Sequence, residues 1–186
     1  QQAIESMSEA IYSDAWIPEL KSYTTQMFLS HEKRIGKKSH RLYKKEDGKI
    51  YFAIPSISWT GGMACAYPLL QSGLRLHKPQ WIRQSIDWIQ NMLSNTFNKK
   101  SNLLWDAMDT NSKEWGLHGW WVGRFPKALH SSYLMGQCLV SLIKSLPLLE
   151  SIPSNSDLKS MNLGEAVEEG ESLSSLITSG QEYSLK

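Results

Sequence analysis

Cysteine is almost absent: Cys65 and Cys138 are the only two in 186 residues. They are far apart and sit in apolar helical contexts, so buried free thiols are expected, not a disulfide framework. His31, His40, His77, His118 and His130 form no helix-spaced ligand pair, so no metal is expected. No P-loop, dinucleotide fingerprint or nucleophile elbow occurs, and the residues call for no cofactor. No Asn-x-Ser/Thr sequon is found. No apolar run approaches the roughly 20 residues of a membrane span, so no membrane partner is expected. No signal peptide is visible, although the chain begins at Gln1 and not at a methionine. A cytoplasmic setting is the expectation, with secretion by a bacterium as the alternative.

Excess charge is also missing. The formal net charge of +2 is too small to argue for nucleic acid. Its distribution says more. Lys33, Arg34, Lys37, Lys38, Arg41, Lys44, Lys45 and Lys49 crowd one stretch, as a solvated loop or an anion-attracting rim would. With 41% hydrophobic and 20% charged residues, the chain can bury the core of one domain over 1–186.

Helical periodicity organises most of the sequence. Ile4, Met7 and Ile11 form one stripe, and Pro18 opens a second helix through Leu20, Tyr23, Thr24, Met27 and Phe28. Period-two residues Ile50, Phe52 and Ile54 follow Asp47-Gly48, which predicts a β-hairpin inserted at 40–54. Thr60 can cap a helix ending near Gly73, with Pro68 kinking it or delaying its start. Pro79 opens a helix striped by Ile82, Ile86, Ile89 and Leu93 and widened by Trp81, Trp88 and Met92. After a long loop at 98–127, residues 128–146 are apolar nearly all round, which predicts burial on most sides. A polar linker at 151–157 precedes a last amphipathic helix traced by Leu163, Ala166, Val167, Leu173, Leu176 and Ile177. The expected fold is mainly α: antiparallel helical hairpins in a curved (α/α) toroid-like layer, with one short β-hairpin. A helix bundle is the alternative.

The long loop is where chemistry is expected, because unstructured connections of that length are often functional. It holds Trp105, Trp115, Trp120 and Trp121 among Asp106, Asp109, Glu114, His118 and Arg124, with Gly116, Gly119 and Gly123 between them. Indole faces match the C–H face of a sugar ring, while carboxylates and Arg bond its hydroxyls or a uronate. Ser58-Trp59-Thr60-Gly61-Gly62 either lines a pocket through close backbone approach, with Trp59 as a sugar-binding candidate, or is only a helix entry. Glycoside cleavage uses two carboxyls, and Asp106 and Asp109 are the first candidates, with Asp14, Glu19 or Glu114 as possible partners. The bland reading makes each Asp a turn or cap residue, His118 a structural hydrogen-bonder, and each Trp a cap on the helical core.

The order of these features resembles part of the six-hairpin (α/α) toroid glycosidases, notably the unsaturated glucuronyl and rhamnogalacturonyl hydrolases. The resemblance rests on the helix at 81–88, on Leu103-Leu104-Trp105-Asp106 with Asp109, and on Trp120-Trp121-Val122-Gly123-Arg124. It implies that Asp106 or Asp109 approaches the catalytic centre, and that Trp121 and Arg124 bind sugar. Phe125-Pro126-Lys127 replaces the expected Arg-Gly-Asn-Gly-Trp order, and three hairpins make half of such a toroid. The expected partner is therefore a carbohydrate substrate. A homo-oligomer, or further sequence completing the toroid, is expected to meet the flank bearing Tyr133, Leu134 and Val140. A non-catalytic glycan- or peptide-binding module, or an inactive toroid fragment, remains the alternative function.

Overall fold

The computed structural model of the chain describes residues 2–24, 26–28, 42–44, 50–53, 55–59, 61–119 and 128–154. The chain is mainly helical. α1 (Gln2–Ala10) runs into a π-helical turn, Ile11–Ala15. α2 (Met63–Leu76) and α3 (Pro79–Asn95) form a helical hairpin, and α4 (Ser132–Ser154) packs against α2.

The helix expected from Pro18 onward is instead a run of strands. Pro18–Leu20 makes only a 3-10 turn, closed by Lys21 in the left-handed region at φ 45°, whose N–H donates to the Pro18 carbonyl at 3.1 Å. β1 (Trp16–Ile17) and β2 (Ser22–Tyr23) then pair across this turn. Tyr23 is fully buried, edge-on to Trp16 at 4.8 Å and to Trp88 at 6.2 Å. The apolar spacing of this segment suited a helix, but Tyr23, Thr24, Thr25 and Phe28 are β-formers, and burial of Tyr23 decided between the two.

The predicted β-hairpin is present. β4 (Leu42–Lys44) pairs antiparallel with β5 (Ile50–Ala53) in the register Leu42↔Phe52, Tyr43↔Tyr51, Lys44↔Ile50. β3 (Gln26–Phe28) adds a third strand on the other edge of β5, a strand supplied by the supposed helix. The Asp47-Gly48 turn, the rest of the basic stretch, the Thr60 cap, His31, His40 and the last amphipathic helix lie outside the described residues.

α2 starts at Met63 and passes through Pro68 without stopping. Pro68 lacks the N–H that would serve the Ala64 carbonyl, but Ala64 is on the exposed side, so that carbonyl is not left in the core. α2 also runs past Gly73 to Leu76, and the Gly73 carbonyl accepts from Lys78 N–H at 2.9 Å at the helix end. α3 behaves as its stripe predicts: Trp81, Ile82, Ile86, Trp88, Ile89 and Met92 are all fully buried.

α4 corrects the sequence reading twice. It starts at Ser132 and runs to Ser154, through part of the supposed linker. It is also buried along one stripe and not on most sides. Leu134, Cys138, Leu142, Ser145, Leu149 and Ile152 face the core, while Tyr133, Leu139, Val140 and Ile143 are about half exposed. Leu134 therefore belongs to the core and not to the outer flank with Tyr133 and Val140. The stretch Ser132–Ile152 is, by length and composition, sufficient to cross a membrane, contrary to the expectation that no stretch comes close. Its buried stripe packs as the core face of a helix in a folded domain does. Both cysteines are free, and burial pushes their thiols up, Cys65 to about 11 and Cys138 to about 12, which keeps them protonated.

Candidate functional site

The loop after α3 is more ordered than its lack of periodicity suggests. β6 (Phe97–Asn98) and β7 (Leu103–Leu104) form a small hairpin, turned at Asn102 with φ 55°. The chain then crosses the segment 55–57: Ile57 N–H donates to the Asp106 carbonyl at 3.1 Å, and Met108 N–H to the Pro55 carbonyl at 3.0 Å. Met108 pairs next with Trp115, closing residues 109–114 into a tight excursion.

Asp109 builds that excursion. Its Oδ1 accepts from Asn111 N–H at 2.8 Å and Ser112 N–H at 2.9 Å, while Lys113 N–H donates to its carbonyl at 2.9 Å. Its Oδ2 lies 3.2 Å from His118 Nε2. These are the bonds of a turn residue, since a short carboxylate can accept from amides two and three residues on. An amide oxygen can replace Oδ1 but a methyl cannot. Asp109→Asn should therefore leave the thermal midpoint nearly unchanged, whereas Asp109→Ala should cost about 1–2 kcal/mol. Equal midpoints for the two variants would remove the turn role.

Asp106 is fully buried at the start of α4. Its Oδ1 accepts from Ser131 N–H at 2.6 Å, and Ser131 Oγ in turn accepts from Leu134 N–H at 3.3 Å as the helix cap. Asp106 Oδ2 has no hydrogen-bond partner among the described residues. Burial pushes the carboxyl above its ordinary range, while the Ser131 amide and the neighbouring His130 pull the other way. Desolvating an unpaired carboxylate costs several kcal/mol, against about 1.5–3 for a charged hydrogen bond and about 0.3–1 for a helix N-terminus. Burial wins.

Trp105 is not an open platform. One face stacks on the His130 ring, with centroids 4.5 Å apart and planes at 16°. Gly116, at φ 82°, presses on the indole so closely that a Cβ there would lie 2.4 Å from Trp105. His130 is fixed in turn, its Nδ1 2.8 Å from the Leu104 carbonyl and its Nε2 3.3 Å from Asn98 Nδ2. Trp59 is 46% exposed in the left-handed region, at φ 77°. Trp120, Trp121 and Arg124 lie outside the described residues.

A cleft of about 510 Å³ opens nearby, between the 18–21 turn, the C-terminal half of α3 and the 108–115 excursion. Trp115, half-buried and 6.1 Å from Trp88, forms one wall with Met108. Glu19 and Glu114 both line it, as do Lys21, Lys113, Asn91 and Asn95. Glu19 Oε2 is shielded and has no hydrogen-bond partner among the described residues. Asn91 Nδ2 donates to the Lys21 carbonyl at 3.1 Å and Asn95 Nδ2 to Asn91 Oδ1 at 2.7 Å, which ties the turn bearing Glu19 to α3. Lys21 and Lys113 both hold left-handed backbones, at φ 45° and 61°. Neither Asp106 nor Asp109 lines this cleft, and among the described residues Trp115 alone of the first-choice site residues does.

The sequence reading named Glu19 and Glu114 only as possible partners and missed Lys21, Asn91, Asn95 and Lys113. The i,i+4 asparagines at the polar end of the α3 stripe were the one visible signal. No family model, curated protein or solved structure matches the chain.

Proposed function

We propose that this chain acts on carbohydrate, as a hydrolase that cleaves a glycosidic bond in the cleft walled by Trp115. The observation that carries the reading is that Glu19 and Glu114 line one cleft together with an indole and two side-chain amides. An indole face takes the apolar side of a sugar, the asparagines suit its hydroxyls, and a carboxyl pair is what acid/base cleavage requires. Lys21 and Lys113 suit a uronate on such a glycan. In this reading α2 and α3 are one unit of a curved layer of hairpins, a partial (α/α) toroid.

The test is a glycan array probed with the purified chain, followed by turnover assays on whatever binds. At least one glycan class should bind. Trp115→Ala should weaken that binding by about two- to tenfold, since stacking on an aromatic contributes about 0.5–1.5 kcal/mol. No binding to any glycan would end the reading. Binding without turnover would leave a glycan-binding module in place of a hydrolase.

A further inference from the structure

We propose that the outer face of α4 is an intramolecular docking surface, covered in the full chain by its own amphipathic segment at 163–177, folded back antiparallel along the helix.

The two stripes match in length and pattern. On α4, Tyr133, Val140, Ile143 and Pro147 are exposed along one line with Leu139 beside them, while the opposite stripe from Leu134 to Ile152 lies in the core. From Tyr133 to Pro147 that bare apolar line is about 21 Å long, at 1.5 Å per residue. The segment at 163–177 lies outside the described residues, and its sequence supplies the match. Leu163, Ala166, Gly170, Leu173 and Ile177 fall on one helical face of the same length, whereas Glu165 and Glu168 fall on the other. Asn162, with Glu165 three residues on, is a helix-start signature directly before this run.

Placement selects the occupant. The described residues end at Ser154, the last of α4, and the connection at 155–162 leads straight to Leu163. Connections of about 2–8 residues join antiparallel neighbours in helical bundles. This one reaches at most about 28 Å, enough to return the roughly 10 Å from Ser154 to the level of Pro147. Leu163 then meets Pro147, Gly170 meets Val140, and Ile177 meets Tyr133. Sliding the segment one heptad towards the end of α4 would set Val167 against Glu150 instead, which disfavours that register. A second copy can offer an apolar face of its own, but so short a tether holds the segment at about millimolar effective concentration, well above another chain at micromolar levels. The inference does not depend on the carbohydrate reading, since no residue of α4 lines the cleft.

The experiment is disulfide trapping in the full chain at about 10 µM under mild oxidation. Val140→Cys with Gly170→Cys should close a bond within one chain at least about tenfold faster than Val140→Cys with Glu168→Cys, whose second position lies on the far side of the segment. The parent chain, with Cys65 and Cys138 alone, is the blank. Non-reducing gels and intact mass separate bonds within a chain from bonds between chains. Hydrogen exchange on the parent chain reads the same contact without a variant, and decides alone if the double variants do not fold. The Val167, Gly170 and Ile177 amides should exchange at least about tenfold slower than their intrinsic rates. Equal trapping rates for the two pairs, or unprotected amides across 163–177, overturn the docking. Bonds between chains in place of bonds within one overturn it too, and assign the face to a second copy.

Discussion

Gly61→Ala is expected to be among the most damaging single substitutions in the chain, costing about 3 kcal/mol or more. A Cβ built on Gly61 would lie 2.1 Å from the Tyr23 carbonyl oxygen and 2.8 Å from its carbon. These are backbone atoms, so no rotamer change relieves the clash. Their position is fixed, because the same carbonyl accepts from Gly62 N–H at 3.2 Å, and Tyr23 is clamped between Trp16 and Trp88. Either β2 or the entry to α2 must move, and both belong to the main core. The same substitution at Gly136 should have the opposite sign. Nothing lies within 4 Å of a Cβ there, the residue is inside α4, and alanine favours a helix over glycine by about 0.5–1 kcal/mol. Chemical denaturation of the two variants beside the parent chain checks both signs at once. A Gly61→Ala midpoint close to the parent's would show that the Tyr23 carbonyl is free to give way.

What the sequence made legible follows from how local each signal is. The α3 stripe and the β4–β5 hairpin rest on periodicity within about twenty residues, and the structure contains both. The segment after Pro18 misled because Leu20, Tyr23, Met27 and Phe28 have helical spacing, while their true partners, Trp88 and β5, are far along the chain. The length and apolarity of α4 were visible, but which of its faces is covered depends on α2 and not on α4 itself.

The site divides in the same way. The functional reading of the Trp-rich loop took Asp106 and Asp109 as its first catalytic candidates, with turn and cap roles as the bland alternative, and the geometry gives both of them scaffold bonds. The cleft was hidden because its walls come from three places: Glu19 and Lys21, then Asn91 and Asn95, then Met108 to Trp115. No spacing rule joins residues 19 and 114. Only the fold does, through the Asn91 bond to the Lys21 carbonyl and the Met108–Trp115 pairing.

On a glycan that the chain turns over, Glu19→Gln or Glu114→Gln should lower kcat by about 10²–10⁴-fold. Glutamine keeps the size and hydrogen-bonding oxygen of each side chain but can neither deliver nor accept the proton that cleavage moves. KM should change little, because the sugar still meets Trp115, Asn91 and Asn95, and a loss confined to kcat marks an interaction made in the transition state. The two residues differ in setting. Glu19 follows Pro18 in a rigid turn and has one oxygen shielded from solvent, whereas Glu114 is exposed at the end of the Asp109 turn. A shielded carboxyl suits the general acid and an open one the activation of water, so Glu19→Gln should be rescued by substrates with better leaving groups and Glu114→Gln should not. Stability should not follow activity, since neither side chain belongs to the hydrophobic clusters. Full turnover by both variants would move the chemistry out of this cleft. Loss of binding in step with kcat would make the two glutamates ligands for the sugar and leave the hydrolysis without its acid.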